Sequence, residues 1–255
     1  ADVDIMVPRD RLDAVEAELL IAGWQYEKTD PYDQRYYRAW SHELPPMLCA
    51  GQALEMDVHH AILPPLGRLR PDTRLLFAAS VPIPGTAYRA LDPIDQLLHA
   101  AAHLFQDSDC TNRLRDLVDF DGLLRAQVSM AASPKTLAEQ VAQRAGVLQL
   151  ARPLSHAAAF SAAWCATPGA PEVLSVLADN AALRRSRLFV ALVTRTLGPP
   201  DPDARPSVGR AWSTRLLEVR AAWLRLPPWL FAYHAVARAL RRLIKKQARE
   251  SDATD

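Results

Sequence analysis

The sequence predicts an α+β protein, with a small mixed or antiparallel sheet region first and a larger all-helical region after it. Three observations carry that prediction. Apolar and polar residues alternate with period two around residues 3–7 and 54–60. Beyond Asp92-Pro93 the apolar spacing changes to the three-and-four step of helices. The charge divides as well: residues 1–125 hold 20 Asp/Glu against 12 Lys/Arg, while residues 126–255 hold 9 against 18, so the halves are built for different work. The expected organisation is a sheet domain over 1–90, a helical domain over 91–250 and a disordered tail over 251–255.

The elements follow in order. Val3, Ile5 and Val7 alternate with Asp2, Asp4 and Met6, which predicts a strand, and Pro8 stops it. Leu12, Val15, Leu19 and Ala22 recur at helical spacing, and Gly23 is placed to end that helix. Trp24 to Lys28 reads as a short strand. Gln34 to Trp40, rich in Tyr and Trp, reads as a second, broken by Pro45-Pro46. Leu54 to His60 resumes alternation, with Glu55, Asp57 and His59 on one face and Leu54, Met56 and Val58 on the other. Pro64-Pro65, Pro71, Pro82 and Pro84 mark an irregular crossing. Asp92-Pro93 then starts a helix carrying Ile94, Leu97, Leu98, Ala101, Leu104 and Phe105 on one face. A second helix spans about 112–126, and the remainder is helical, with breaks near Ser133-Pro134, Pro168-Gly169 and 198–207.

Composition narrows the function classes. With 49% apolar and 23% charged residues the chain is not wholly disordered, and no run reaches the ~18 apolar residues of a membrane span. Cys49, Cys110 and Cys165 are odd in number and irregularly spaced, which argues against a disulfide framework or zinc ribbon and for a reducing, cytoplasmic setting. No secretory signal is visible. No Ser sits in a Gly-x-Ser-x-Gly turn and no Cys has a suggestive His, so a nucleophilic triad has no support.

The carboxylates are the sharpest feature. Asp2 and Asp4, two apart on one strand, share a face, and Asp57 lies on another alternating strand. Acids placed this way repel unless a cation sits between them. Mg²⁺ held by such a set binds phosphate oxygens and stabilises an in-line displacement. The plain alternative is a solvated strand edge.

The segments DVDIMVPRDRLDAVEAEL, YDQRYYRAWSHELPP, LEMDVHHAILPP, ALDPIDQLLHAAAHLF and LRDLVDFDGLL resemble, in that order, the bacterial uncharacterised nucleotidyltransferase family. That family belongs to the DNA polymerase beta-like nucleotidyltransferase superfamily. The similarity covers residues 1 to about 126. It implies a polymerase-beta-like palm, two Mg²⁺ ions and transfer of a nucleoside monophosphate from an NTP, with ATP expected, to an unknown acceptor hydroxyl on a small molecule or protein. Asp2 and Asp4 match the metal-binding pair and Asp57 the third carboxylate, which is also the candidate base. The superfamily carries a glycine-bearing phosphate-holding segment upstream of the Asp pair, where this family has a Lys-Gly turn. Because the chain begins one residue before Asp2, the expectation is that this N-terminal segment is missing and that activity needs it.

His59 shares a face with Asp57, which suits a supporting role beside the metals, and His60 points the other way. Arg38 and His42 share a face of the aromatic strand and are expected to reach a phosphate or an acceptor. His99 and His103, with Asp107 one turn on, form either a metal edge or a rim of core-bordering histidines. The resemblance implies that the helices of His103 and Arg115 form the far wall of the cleft, with Arg115 meeting a phosphate and Asp119 orienting it; the alternative is an i, i+4 pair of Arg115 and Asp119 on the helix surface. From Arg205 to Arg249 there are 11 basic residues and one acid, Glu218, interleaved with Trp212, Trp223, Trp229, Phe231 and Tyr233. That composition fits a solvated terminal helix or a weak contact of 204–249 with a membrane surface or partner. The alternative function is therefore an inactive palm-fold binding or regulatory module.

Overall fold

The computed structural model describes residues 2–49, 54–178, 183, 186–202 and 207–233. A mixed four-stranded sheet opens the chain and helices fill the rest. The strands are β1 (Asp2–Met6), β2 (Trp24–Tyr26), β3 (Met47–Cys49) and β4 (Glu55–His59), in the order β1-β4-β3-β2. β4 is parallel to β1 and antiparallel to β3, and β2 closes the far edge antiparallel to β3. The register sets Asp4 against Asp57 and Met6 against His59. Residues in register project to the same side of a sheet, so Asp4, Asp57 and His59 share one face.

The helix α1 (Leu12–Ile21) follows a single 3₁₀ turn and ends before Gly23, whose φ of 93° is a conformation glycine adopts freely. The predicted strand Gln34 to Trp40 is instead the helix α2 (Pro31–Trp40). Asp30 caps it by accepting from the backbone N–H groups of Tyr32 (2.9 Å) and Asp33 (3.3 Å), and Pro31 supplies the helical φ at the first turn. These local devices outweigh the strand preference of Tyr36, Tyr37 and Trp40. The irregular crossing holds three further elements: α3 (Thr73–Ala79), capped by Asp72, and the short hairpin of β5 (Val81–Pro82) and β6 (Arg89–Ala90).

The helical region begins as predicted, with Asp92 capping α4 (Pro93–Ala102). The helix runs on into a π-helical turn, His103–Asp107, closed by Ser108 N–H donating to His103 O at 3.0 Å. Then come α5 (Leu114–Met130), α6 (Pro134–Val147), α7 (Ala151–Cys165), α8 (Ala170–Leu177), α9 (Arg187–Thr196) and α10 (Val208–Arg225). Leu97, Leu98, Phe105, Leu117, Phe120, Leu124, Leu148 and Leu154 are fully enclosed in one apolar cluster running from Ile62 to Leu217. Gly169 starts α8 at φ 81°, and a Cβ there would lie 2.6 Å from Val128 Cγ2, so the α5–α8 approach needs glycine.

Three polar clamps fix the arrangement. Arg144 on α6 forks onto Asp95 of α4 (2.7 and 2.6 Å) and reaches Leu75 O, with Asp95 wholly buried. Arg210 donates to the carbonyls of Arg195, Thr196 and Gly198 and to Asn112 Oδ1, tying the end of α9 to α10. Arg220, also on α10, donates to Phe105 O at 3.0 Å and lies over the Phe189 ring. No helix among the described residues is long and apolar enough to cross a membrane.

Candidate active site

The site lies on the open face of the sheet, at its border with α4 and the π turn. Asp4 and Asp57 stand side by side on parallel strands, and Asp2 takes the register position opposite Glu55. Beside them the segment 42–44 extends the ladder along the outer half of β4. Leu44 N–H donates to Val58 O at 2.9 Å, His60 N–H donates to His42 O at 2.8 Å, and Glu43 bridges antiparallel to His59. Pro45 and Pro46, which have no N–H to offer, separate this stretch from β3. The bridge brings Glu43 onto the carboxylate face.

His59 connects the acids. Its Nε2 lies 3.3 Å from Asp4 Oδ1 and its Nδ1 3.4 Å from Glu43 Oε2. The His42 ring tilts beside it, with centroids 5.3 Å apart. Burial raises the Glu43 carboxyl to about 7; His59 opposes the shift, while Asp57, Asp107 and Asp4 add to it. Burial also lowers His42 to about 3, helped by His59, His60, His99 and His103. That imidazole is neutral at physiological pH, and its Nδ1 is buried without a hydrogen-bond partner among the described residues.

The helical wall carries the second set. Burial takes His99 down to about 4, and the field of His103, His59 and Asp4 reaches it, which places the α4 face across from the sheet acids. His103 is raised, first by its bond to Asp116, whose Oδ2 lies 3.4 Å from His103 Nδ1. Burial works to raise Asp116, but the His103 bond and the Arg113 charge (3.5 Å) more than offset it and leave it low. Asp107 is raised by burial, against the opposing charges of Arg225, His103, His59 and Arg113.

The predicted residues therefore divide. Asp4, Asp57, His59 and His42 come together, with His103 on the facing wall. Arg38 does not join them. It donates to Glu16 (2.5 and 3.1 Å) and to the Tyr26 hydroxyl (3.0 Å). Tyr26 is in register with Met47, and Met47 with Met56, which puts this cluster on the opposite side of the sheet. Arg115 and Asp119 are exposed on α5, and it is Arg113 and Asp116 that meet His103. His103 pairs with Asp116 and sits 6.2 Å, ring to ring, from His99. The donor trio close enough to share an ion, among the described residues, is His42, Glu43 and His59. Glu43 escaped the sequence reading because the bridge that aims it depends on pairing across a double proline.

Of the basic stretch, Arg210 and Arg220 turn inward and Arg215 pairs with Glu218. Trp212 and Trp229 are exposed. Arg241, Arg242, Lys245, Lys246 and the tail 251–255 lie outside the described residues.

Neither a curated protein nor a solved structure matches the chain. A family model does, over residues 1–166. That span takes in the whole sheet, the paired aspartates and the helical wall through α7. The match covers well over half of the 255 residues, and the chain belongs to the uncharacterised nucleotidyltransferase family.

Proposed function

We propose that the chain transfers a nucleoside monophosphate from an NTP, ATP being the first to test, to an acceptor hydroxyl, with Asp2, Asp4 and Asp57 holding Mg²⁺. The observation that carries this reading is the in-register parallel pairing of β1 with β4, which sets Asp4 beside Asp57 on an open sheet face. An all-oxygen donor set suits Mg²⁺, and the Asp4 side chain is 69% exposed, leaving room for the ion's waters and for phosphate oxygens. Mg²⁺ held by these residues would supply positive charge to offset that of the triphosphate.

The chain's own groups do the rest. Asp57 takes the proton of the acceptor hydroxyl, whose oxygen displaces pyrophosphate from the α-phosphorus. His59 holds Asp4 in place. His103, kept basic by Asp116, presents positive charge to the polyphosphate from the far wall. The sheet region and the helical region are separate domains in this reading, and three free cysteines fit a reducing, cytoplasmic setting.

The test is MgATP binding and pyrophosphate release by the whole chain against Asp4→Ala and Asp57→Ala. Each substitution should cost about 10²–10³-fold in turnover, the scale of one preorganised electrostatic group, with the melting curve unchanged. Equal turnover in all three proteins would remove the assignment. A second reading, a non-catalytic module that docks on a membrane surface or partner, rests on exposed Trp212 and Trp229 beside a basic terminus. Salt-sensitive co-sedimentation of the whole chain with anionic vesicles, in the absence of any nucleotide chemistry, would favour it.

A further inference from the structure

We propose that His42, Glu43 and His59 form a binding site for a divalent transition ion of the zinc class, distinct from the oxygen-only set of Asp2, Asp4 and Asp57. The site stands whatever reaction the aspartates serve.

Three observations support it. The three donor atoms lie within 4.8 Å of one another. Two imidazoles and a carboxylate match the ligand preferences of Zn²⁺ and its neighbours, whereas Mg²⁺ takes oxygen and water. The Glu43 Oε2 to His59 Nδ1 separation is 3.4 Å. It equals the ~3.3–3.4 Å between two ligands of a tetrahedral ion whose bonds are ~2.0–2.1 Å.

The surroundings complete the pattern. His42 Nδ1 is buried without a hydrogen-bond partner among the described residues, and buried polar atoms are nearly always satisfied. A nitrogen of that ring already lies within 4.8 Å of the donors of Glu43 and His59. The other nitrogen of His59 lies 3.3 Å from Asp4 Oδ1. A metal-bound histidine commonly donates its second N–H to a carboxylate, which fixes the tautomer and strengthens the ligand. Asp4 fills that position. The antiparallel bridge between Glu43 and His59 holds two of the ligands in register before any ion arrives. Three protein ligands leave a fourth position for water or substrate.

The test uses Co²⁺, which takes zinc sites and absorbs strongly in the visible when four-coordinate but weakly when six-coordinate. It is titrated into the whole chain with Mg²⁺ in excess. The expected result is one equivalent of Co²⁺ with a strong visible band, displaced by Zn²⁺. His42→Gln and Glu43→Gln should each weaken binding at least ~10-fold and abolish the band, while Asp57→Asn retains both. The proposal is overturned if the wild-type chain gives no band, or if the band survives His42→Gln and Glu43→Gln. It is equally overturned if Asp57→Asn alone removes the ion, which would assign it to the aspartates. Far-UV circular dichroism checks each variant's fold. Should His42→Gln fail to fold, Glu43→Gln, which keeps the side chain's shape, decides the matter.

Discussion

The sheet region and the helical region are built on opposite plans. Helices α4 to α8 enclose Phe105, Phe120 and a layer of leucines with no solvent contact. Around the sheet, neither α1 nor α2 buries a single residue fully, and the enclosed apolar side chains are few, among them Leu44, Met47 and Val58. Caps, cross-strand bonds and the Glu16–Arg38–Tyr26 cluster hold that part together. Such a layer can leave acids on an open face, because its order does not depend on covering that face. The helical region supplies the stable wall against which those acids are aimed.

The contrast can be broken at the helical end first. Arg144→Leu leaves Asp95 wholly buried without its partner, and removing one partner of a buried pair costs about 3–5 kcal/mol. Denaturant unfolding should show that loss, and the double variant Asp95→Leu/Arg144→Leu should recover most of it. The same recovery absent, or a single variant as stable as wild type, would mean that the clamp is not what joins α4 to α6.

The next effect belongs to the border. Glu43 is raised from 4.5 to about 7, so the folded state holds its proton longer than the unfolded state does. Its protonated form contributes stability that is complete below pH 4.5 and is lost as pH climbs through 7, by about 3 kcal/mol. A stability profile across that window should fall for the metal-free wild type and flatten for Glu43→Gln. Divalent zinc-class ions, if bound as proposed, should reverse the slope, because they bind the carboxylate form.

The smallest effect sharpens the comparison at the sheet. Asp30→Ala removes the cap of α2 and should cost about 1 kcal/mol. Because α2 has no buried residue, the loss should appear as faster amide exchange along 31–40 with little change in the helical core.

These elements also show what was legible in the sequence. The strands around Asp4 and Asp57 announce themselves by alternation, and α4 by Asp92-Pro93. Asp30-Pro31 carried the same signal for α2, hidden beneath an aromatic composition that favours strands. His103 meets Asp116, and Arg113 stands beside that acid, so the residues of α5 that face the wall lie one turn or less from the expected Arg115 and Asp119. Glu43 depends on a bridge between segments separated by the double proline and by all of β3, a pairing that no local pattern encodes.

The parallel pairing of β1 with β4 has a kinetic side. His59 and Asp4 are 55 positions apart along the chain, and a parallel neighbour is reached only after everything between has crossed over. Closing so large a loop is slow and entropically unfavourable. The aspartates are therefore strangers in the unfolded chain and meet late, when their mutual repulsion is felt for the first time. A cation that relieves it acts on a sheet already assembled: it should slow the unfolding of β1 far more than it hastens its docking, so that edge strand becomes the part of the molecule whose lifetime the ion sets.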